Sequence, residues 1–342
     1  MRALAVCLIT LAPAASAQGR IIVDTLHSQA LRGNLIGDTP DRAITIYLPP
    51  SYQRDWARRY PVLYLLHGVT SAPIEWLDGT YQGFDLRLAM DSLAGAGRAE
   101  YLVVMPFADN SLGGSFYVNS AAFGGWDDFI VKELVRFVDA RFRTRTDAKS
   151  RGLAGQSMGG FGALYLVGRR PGTFGHVYAM SPCCLGFVGE FAQESELWTT
   201  SPMPARLRAI AAAFAPQRRS RAAIEAPLPF TRDSLHHLRE VAGVARVWRA
   251  HLPLERLKAD QRPYRRLCSI ALEFGSQDQI ASVRLGTPAF ATELRQTGIP
   301  HILDEFEGGH TDHTRERFER ALLPFFAGAF AARDCHGPAR GS

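Results

Sequence analysis

Gly155-Gln156-Ser157-Met158-Gly159 is the segment of this 342-residue chain whose residue types and spacing most directly offer chemistry. It follows an apolar run that ends at Ala154 and opens a helical pattern over 161–168, closed by Pro171. Between a strand and a helix, Gly-x-Ser-x-Gly makes a sharp turn that lifts the serine hydroxyl clear of the sheet, at the positive end of the helix. The glycines leave space where side chains would meet the neighbouring strand and helix, and Gly160 adds room for close helix–sheet contact. Serine alone is a weak nucleophile. It needs a base to take its proton and an acid to orient that base, and in this kind of site the chain order is nucleophile, acid, base.

Two positions downstream satisfy that order. The strand pattern at 269–274 runs into Gly275-Ser276-Gln277-Asp278, and the last strand pattern runs into Gly308-Gly309-His310. Asp278 is therefore the expected acid and His310 the expected base. Glu273 and Asp304 fall within strand patterns, and Asp312 follows the base. Among the other histidines, His313 lies three residues on, and His236-His237 fits the surface of an amphipathic helix. His310-x-Asp312-His313 imitates a metal site, yet no further ligand cluster accompanies it, so neither metal nor cofactor is expected. Charge developing on a carbonyl oxygen must also be held by backbone N–H groups. The residue after the nucleophile, Met158, supplies one, and the loop Leu66-His67-Gly68-Val69 supplies the other through Val69. His67 precedes the nucleophile and is expected to pack or to order that loop.

The elements that must position these groups alternate. Strand patterns stand at 43–48, 62–66, 101–105, 151–154, 176–180, 269–274 and 301–306, several of them apolar almost throughout, as strands covered on both faces are. Helical patterns stand at 127–142, 289–297 and 314–332, the last containing Pro324, which is expected to kink or divide it. This alternation predicts an α/β fold with a parallel sheet and helices on both faces. From 186 to about 262 the rhythm stops: there is no convincing strand, and Leu235, Leu238, Val241, Ala245 and Trp248 recur at helical spacing. The stretch reads as a helical insertion capping the carboxyl ends of the strands, with Arg218, Arg219 and Arg221 on a solvated face. One catalytic domain over 18–335 with this insertion, and a tail at 336–342, is the expected organisation.

Composition is that of an ordinary globular protein: 46% of residues are hydrophobic and 21% charged, which excludes disordered, collagenous and coiled-coil classes. A net charge of +6 raises nucleic acid as a partner, but the basic residues are scattered and none of the nucleic-acid-binding signatures is present. Met1-Arg2, an apolar stretch over 3–12 and the small residues Ala15-Ser16-Ala17 predict a signal peptide over 1–17, hence an exported protein, periplasmic or secreted, without a stable membrane anchor. Cys183, Cys184, Cys268 and Cys335 would then lie in an oxidising compartment, where four cysteines allow three pairings.

With these residues placed, the chain resembles the Putative esterase family of α/β-hydrolases, which includes S-formylglutathione hydrolase, feruloyl esterases, enterochelin esterase-type proteins and antigen 85-type mycolyltransferases. Tyr64-Leu65-Leu66-His67-Gly68, Val103-Val104-Met105-Pro106, Ser115-Phe116-Tyr117-Val118-Asn119, Trp126-Asp127-Asp128-Phe129-Ile130, Gly155 to Gly160, Gly275 to Asp278 and Gly309-His310 carry the resemblance across roughly residues 40–330. It implies an α/β-hydrolase fold and ester hydrolysis through an acyl-enzyme, with Ser157, Asp278 and His310 at the positions of the family's triad and Val69 and Met158 at those of its oxyanion donors. It also places Trp76 where many relatives keep a tryptophan, suggesting a substrate contact. Thr311-Asp312-His313 departs from the aromatic residue that often follows the histidine. The expected partner is a small-molecule or carbohydrate ester, whether aryl, short-acyl, feruloyl-sugar or siderophore. An acyltransferase using the same site, and a catalytically silent binding protein on the same fold, are the alternatives.

Overall fold

The computed structural model describes residues 18–218, 224–235, 237–332 and 335. The expected leader, Arg219, Arg221, His236 and the tail at 336–342 lie outside the described residues. Eight strands form the central sheet: β1 (Arg20–His27), β2 (Asp41–Leu48), β3 (Val62–Leu66), β4 (Leu102–Pro106), β5 (Arg151–Gln156), β6 (His176–Met180), β7 (Ser269–Gly275) and β8 (Ile302–Phe306). Their order across the sheet is β1-β2-β4-β3-β5-β6-β7-β8. The pairings β1–β2 and β2–β4 are antiparallel, and every pairing from β4 to β8 is parallel. β3, β4, β5 and β6 are buried at every position, and β3 and β4 accordingly read as unbroken apolar runs, whereas β5 buries Arg151 and Gln156 at its ends and β6 buries His176 at its start. β1 was not anticipated. It is an edge strand whose residues are half-buried or exposed, and polar Asp24 and Thr25 interrupt its apolar start.

Successive side chains of a strand point to opposite faces, and the two faces of the sheet have separate cores. Val62, Tyr64 and Leu66 of β3 join the core that holds α2 (126–141), α3 (Met158–Arg169) and α7 (Ala281–Gln296). Leu63 and Leu65 join the core under α1 (Leu86–Gly95) and α8 (314–331). Asp85 caps α1 by accepting hydrogen bonds from the amides of Arg87 and Leu88 at 2.8 and 3.2 Å. α7 is longer than its sequence pattern because Pro288 lies inside it rather than before it. Pro324 does not divide α8. The helix widens to a π-helical turn at Phe318–Leu322 just before it, which makes room for a residue that lacks an N–H and whose ring would crowd the preceding turn.

Among its described residues the insertion contains three helices of seven or more residues: α4 (Ala205–Phe214), α5 (Ala242–His251) and α6 (Pro253–Ala259). The helical spacing from Leu235 to Trp248 is only half realised. α5 carries Ala245 and Trp248, whereas Leu238 belongs to a short antiparallel ribbon, Phe230–Arg232 against Leu238–Glu240, and Leu235 sits in its turn. The Asp233 carboxylate accepts from the amides of Leu235 and His237 at 2.9 and 3.0 Å, a local alternative to helix that overrides the apolar period. Phe214 of α4 stacks on Phe161 of α3 with centroids 5.7 Å apart and meets Trp248 edge-on at 5.2 Å, fastening the insertion to the helix behind Ser157. Cys268 and Cys335 form a disulfide, and Cys183 and Cys184 are buried thiols. Among the described residues no helix is long and apolar enough to cross a membrane.

Candidate active site at the strand ends

Strand register brings the candidate residues to one end of the sheet. Leu66, the last residue of β3, pairs with Gly155, Gln156 pairs with Met180, and Gly275 pairs with Phe306, so the turns that follow these strands emerge together. Ser157 occupies the turn between β5 and α3 with φ 57° and ψ −115°, a conformation that costs about 1–3 kcal/mol for a residue with a side chain. Its surroundings hold it there. The Ser157 amide donates to the Met180 carbonyl at 2.9 Å, and its own carbonyl accepts from the amides of Phe161 and Cys183 at 2.9 and 3.3 Å. The flanking glycines are steric necessities: a Cβ on Gly159 would lie 2.0 Å from the Leu66 carbonyl oxygen, and one on Gly155 would lie 2.4 Å from the Gly159 carbonyl carbon.

Asp278 and His310 meet from neighbouring turns. His310 Nδ1 lies 2.7 Å from Asp278 Oδ2; against a carboxylate the proton sits on Nδ1, which leaves Nε2 as the acceptor of the ring. Asp278 is fully buried, and its other oxygen accepts from the Ile280 amide at 2.9 Å. The Gln277 amide donates to the Gly308 carbonyl at 3.0 Å, and a Cβ on Gly275 would stand 2.2 Å from that same carbonyl oxygen, so the acid and base turns touch through backbone. His313 adopts a left-handed conformation before α8, with its ring against Phe306. Asp312 accepts from the Gly309 amide at 2.7 Å, committing it to the turn. Among the described residues, no group of three or more His, Cys, Asp or Glu could hold a metal ion.

A buried network stands behind His310. Arg317 donates through Nε to Glu273 at 2.6 Å and through Nη2 to the Ser181 hydroxyl at 2.9 Å, while its Nη1 reaches the carbonyls of His310 and Asp312 at 3.4 and 3.2 Å. Tyr178 donates to the second oxygen of Glu273 at 2.6 Å. Glu273, set aside in the sequence as a strand residue, thus anchors the arginine that grips the histidine loop.

His67 is fully buried and acts as a brace. Its Nδ1–H donates to the Gly68 carbonyl at 2.8 Å, and Nε2 accepts from the Ala108 amide at 2.8 Å, which specifies the neutral ring. Burial pushes its pKa down to about 4 against a weaker opposing pull from the Gly68 carbonyl. The Tyr117 hydroxyl donates to the His67 carbonyl at 2.9 Å, and the Thr70 amide donates to the Gly113 carbonyl at 3.0 Å, so the loop carrying Val69 is held on both sides. Met158 is the first residue of α3, where an amide has no acceptor within the helix.

Ser157 and His310 line one cavity of about 190 Å³ with Val69, Tyr81 and Phe116, and the insertion adds Glu190 and Arg206 to its wall. Trp76 is not among the lining residues. It is fully buried, stacked on Tyr81 at 4.8 Å and tilted against Phe318 at 5.0 Å, and Tyr81 rather than Trp76 lines the cavity. Phe116 was within reach of the sequence, as part of the segment 115–119. Tyr81, Glu190, Arg206 and Arg317 carried no local signal.

The profile of the family described as Putative esterase matches residues 39–328. The chain belongs to that family. Among its relatives, Esterase Rv1288 of Mycobacterium tuberculosis strain H37Rv is 34% identical over 134 residues, 38% of this chain and 27% of that protein. An endo-1,4-beta-xylanase/feruloyl esterase of Xylanibacter ruminicola is 33% identical over 142 residues, 38% of this chain and 18% of that protein. The chain therefore spans about a quarter or less of the length of these two curated relatives. Solved structures extend the likeness to the whole fold. A ferulic acid esterase superposes with a TM-score of 0.63 at 22% identity, covering 91% of this chain and 99% of that one. S-formylglutathione hydrolase from Agrobacterium tumefaciens superposes at 0.61 with 16% identity, covering 94% and 99%. This Putative esterase family member thus has the α/β-hydrolase fold that its strand order describes.

Proposed function

We propose that the chain is an exported serine esterase that hydrolyses carboxylic esters through an acyl-enzyme. One observation carries the reading: a serine held in a strained turn and a histidine–carboxylate pair at 2.7 Å open onto the same cavity at the ends of parallel strands. Ser157 Oγ attacks the ester carbonyl as His310 Nε2 takes its proton, and the amides of Val69 and Met158 receive the charge that develops on the carbonyl oxygen. Asp278 keeps the imidazole turned with Nε2 toward the serine and stabilises the imidazolium. The proton then passes to the departing alcohol oxygen as the carbon–oxygen bond breaks, leaving an acyl-serine. Water attacks that acyl group, giving its proton to His310; the acid leaves and Ser157 recovers its proton. The pattern over 1–17 supports export, and the Cys268–Cys335 disulfide fits an oxidising compartment.

The test is active-site labelling. A fluorophosphonate should label the wild-type protein at Ser157, and Ser157→Ala should lose both the label and the hydrolysis of p-nitrophenyl acetate. A wild type that is never labelled, or a variant that keeps full activity, overturns the assignment. Product analysis with and without an alcohol acceptor distinguishes hydrolysis from acyl transfer.

A further inference from the structure

The cavity wall contains one carboxylate and one guanidinium, and they are not equivalent. Glu190 is committed: its Oε2 accepts from the Ser282 amide at 2.5 Å and its Oε1 from the Ser282 hydroxyl at 2.7 Å. Ser282 is the second residue of the sixteen-residue α7, so the carboxylate also sits at the positive end of a helix. Arg206, further along the same insertion, has no such engagement. It is exposed, and among the described residues it makes no hydrogen bond or ion pair. Its position is also a poor one for α4. Arg206 is the second residue of that helix, where the dipole favours anions, and the first turn contains no acidic residue to offset it. The Arg206 charge is felt inside the cavity. Burial raises the Cys184 thiol well above its ordinary range, hydrogen bonding to Cys183 and the charge on Glu190 add to that, and Arg206 opposes them. The cavity holding Ser157 thus has one unpaired permanent positive charge, and helix stability does not explain why it is there.

We infer that Arg206 is a specificity-determining residue that takes the anionic group, a carboxylate or its equivalent, of an ester whose carbonyl lies at Ser157. The inference rests on the esterase reading and narrows it to negatively charged esters. A guanidinium suits this role because its planar fork bonds a carboxylate through two N–H groups while its charge draws the substrate in. The anion can belong to the acyl or to the alcohol portion, and matched substrates separate the two.

The experiment compares kcat/KM within two ester pairs. Mono-p-nitrophenyl glutarate against p-nitrophenyl valerate places the charge on the acyl side; 4-acetoxybenzoate against its methyl ester places it on the leaving side. In one pair the ratio of anionic to neutral ester should fall about ten-fold in Arg206→Gln, fall further in Arg206→Glu and survive largely in Arg206→Lys. Raising the salt concentration should shrink the wild-type ratio and leave that of Arg206→Gln unmoved. Taking ratios within each variant cancels any change in the folded fraction. Ratios that stay the same in Arg206→Gln for both pairs overturn the inference. Equilibrium binding keeps this outcome separate from failure of the serine assignment: in a Ser157→Ala background, 4-hydroxybenzoate and glutarate should each be weighed calorimetrically against their methyl esters. Loss of the preference for one free acid on Arg206→Gln supports the role of Arg206 even if no ester is turned over, and equal binding of acid and ester in both proteins refutes it.

Discussion

Replacing Arg317 with methionine separates what its buried network does for stability from what it does for the histidine loop. Glu273 has no exposed surface, and its two oxygens are satisfied by Arg317 and the Tyr178 hydroxyl, each at 2.6 Å. Removing the guanidinium leaves a buried carboxylate with one neutral donor, and an uncompensated charge of this kind destabilises by about 3–5 kcal/mol. Arg317→Met should therefore lower the free energy of unfolding by that amount in urea, followed by tryptophan fluorescence. Arg317→Met/Glu273→Leu removes both charges and should recover most of the loss, because apolar replacement of a buried pair is often neutral. Catalysis should not recover with it. The same guanidinium donates to the carbonyls of His310 and Asp312, which the double variant leaves without that donor, so the loop can move relative to Ser157. Displacements of about 1 Å in such geometry cost up to ~100-fold in rate, and a kcat of p-nitrophenyl acetate hydrolysis about ten-fold below wild type with KM little changed is the expected result. A stability loss under about 1 kcal/mol in Arg317→Met would refute the burial argument. A double variant with both stability and kcat restored would show that the network does not position the histidine.

Two further predictions concern the turns on either side. The His67 pKa is pushed down to about 4, whereas an unfolded imidazole titrates near 6.5, so on acidification the unfolded chain takes up the proton first. Its contribution is complete above about pH 6.5 and is lost progressively toward pH 4, reaching roughly 2 kcal/mol at pH 5. Unfolding free energies at pH 7.5 and 5.0 should therefore differ by about that much less in His67→Gln than in wild type, and an unchanged difference excludes a buried neutral His67. Gly159→Ala places a methyl group 2.0 Å from the Leu66 carbonyl oxygen, with backbone on both sides that cannot yield as a side chain would. It should cost about 3 kcal/mol or more and abolish fluorophosphonate labelling in whatever soluble protein remains. Soluble, fully labelled Gly159→Ala would contradict the geometry of the turn.

What could be read from the sequence depended on whether the deciding interaction was local. β3 fills the apolar run between Pro61 and His67, because burial on both faces leaves no polar position to blur the pattern. The Ser157 turn is encoded within five residues, since each glycine answers a clash with the adjoining strand or helix. The ribbon at 230–240 shows the opposite case. Its apolar spacing suits a helix, but the side chain of Asp233 closes a turn first, and a period of apolar residues cannot register that competition. β1 escaped because an edge strand needs only half its residues apolar.

Support for the site escaped for a different reason. Arg317 and Ser181 are 136 positions apart, yet they share a hydrogen bond at 2.9 Å, and no pattern around either residue announces the other. Trp76 shows what position along the chain leaves out: it lies a few residues beyond the loop that carries Val69, yet its ring is buried against Tyr81, and Tyr81 lines the cavity. Arg206 lines the cavity from a helix whose Phe214, eight residues further along, is stacked on the helix that follows Ser157. The groups proposed for bond making therefore sit on turns specified by nearby glycines and strand ends, while the group proposed for substrate choice rides on an insertion fixed by aromatic contacts. A physical consequence follows. Remodelling the packing of Phe214 should alter which ester is preferred before it alters whether Ser157 reacts, because the Ser157 turn is held by the carbonyl of Met180 and the amides of Phe161 and Cys183, none of which belongs to the insertion.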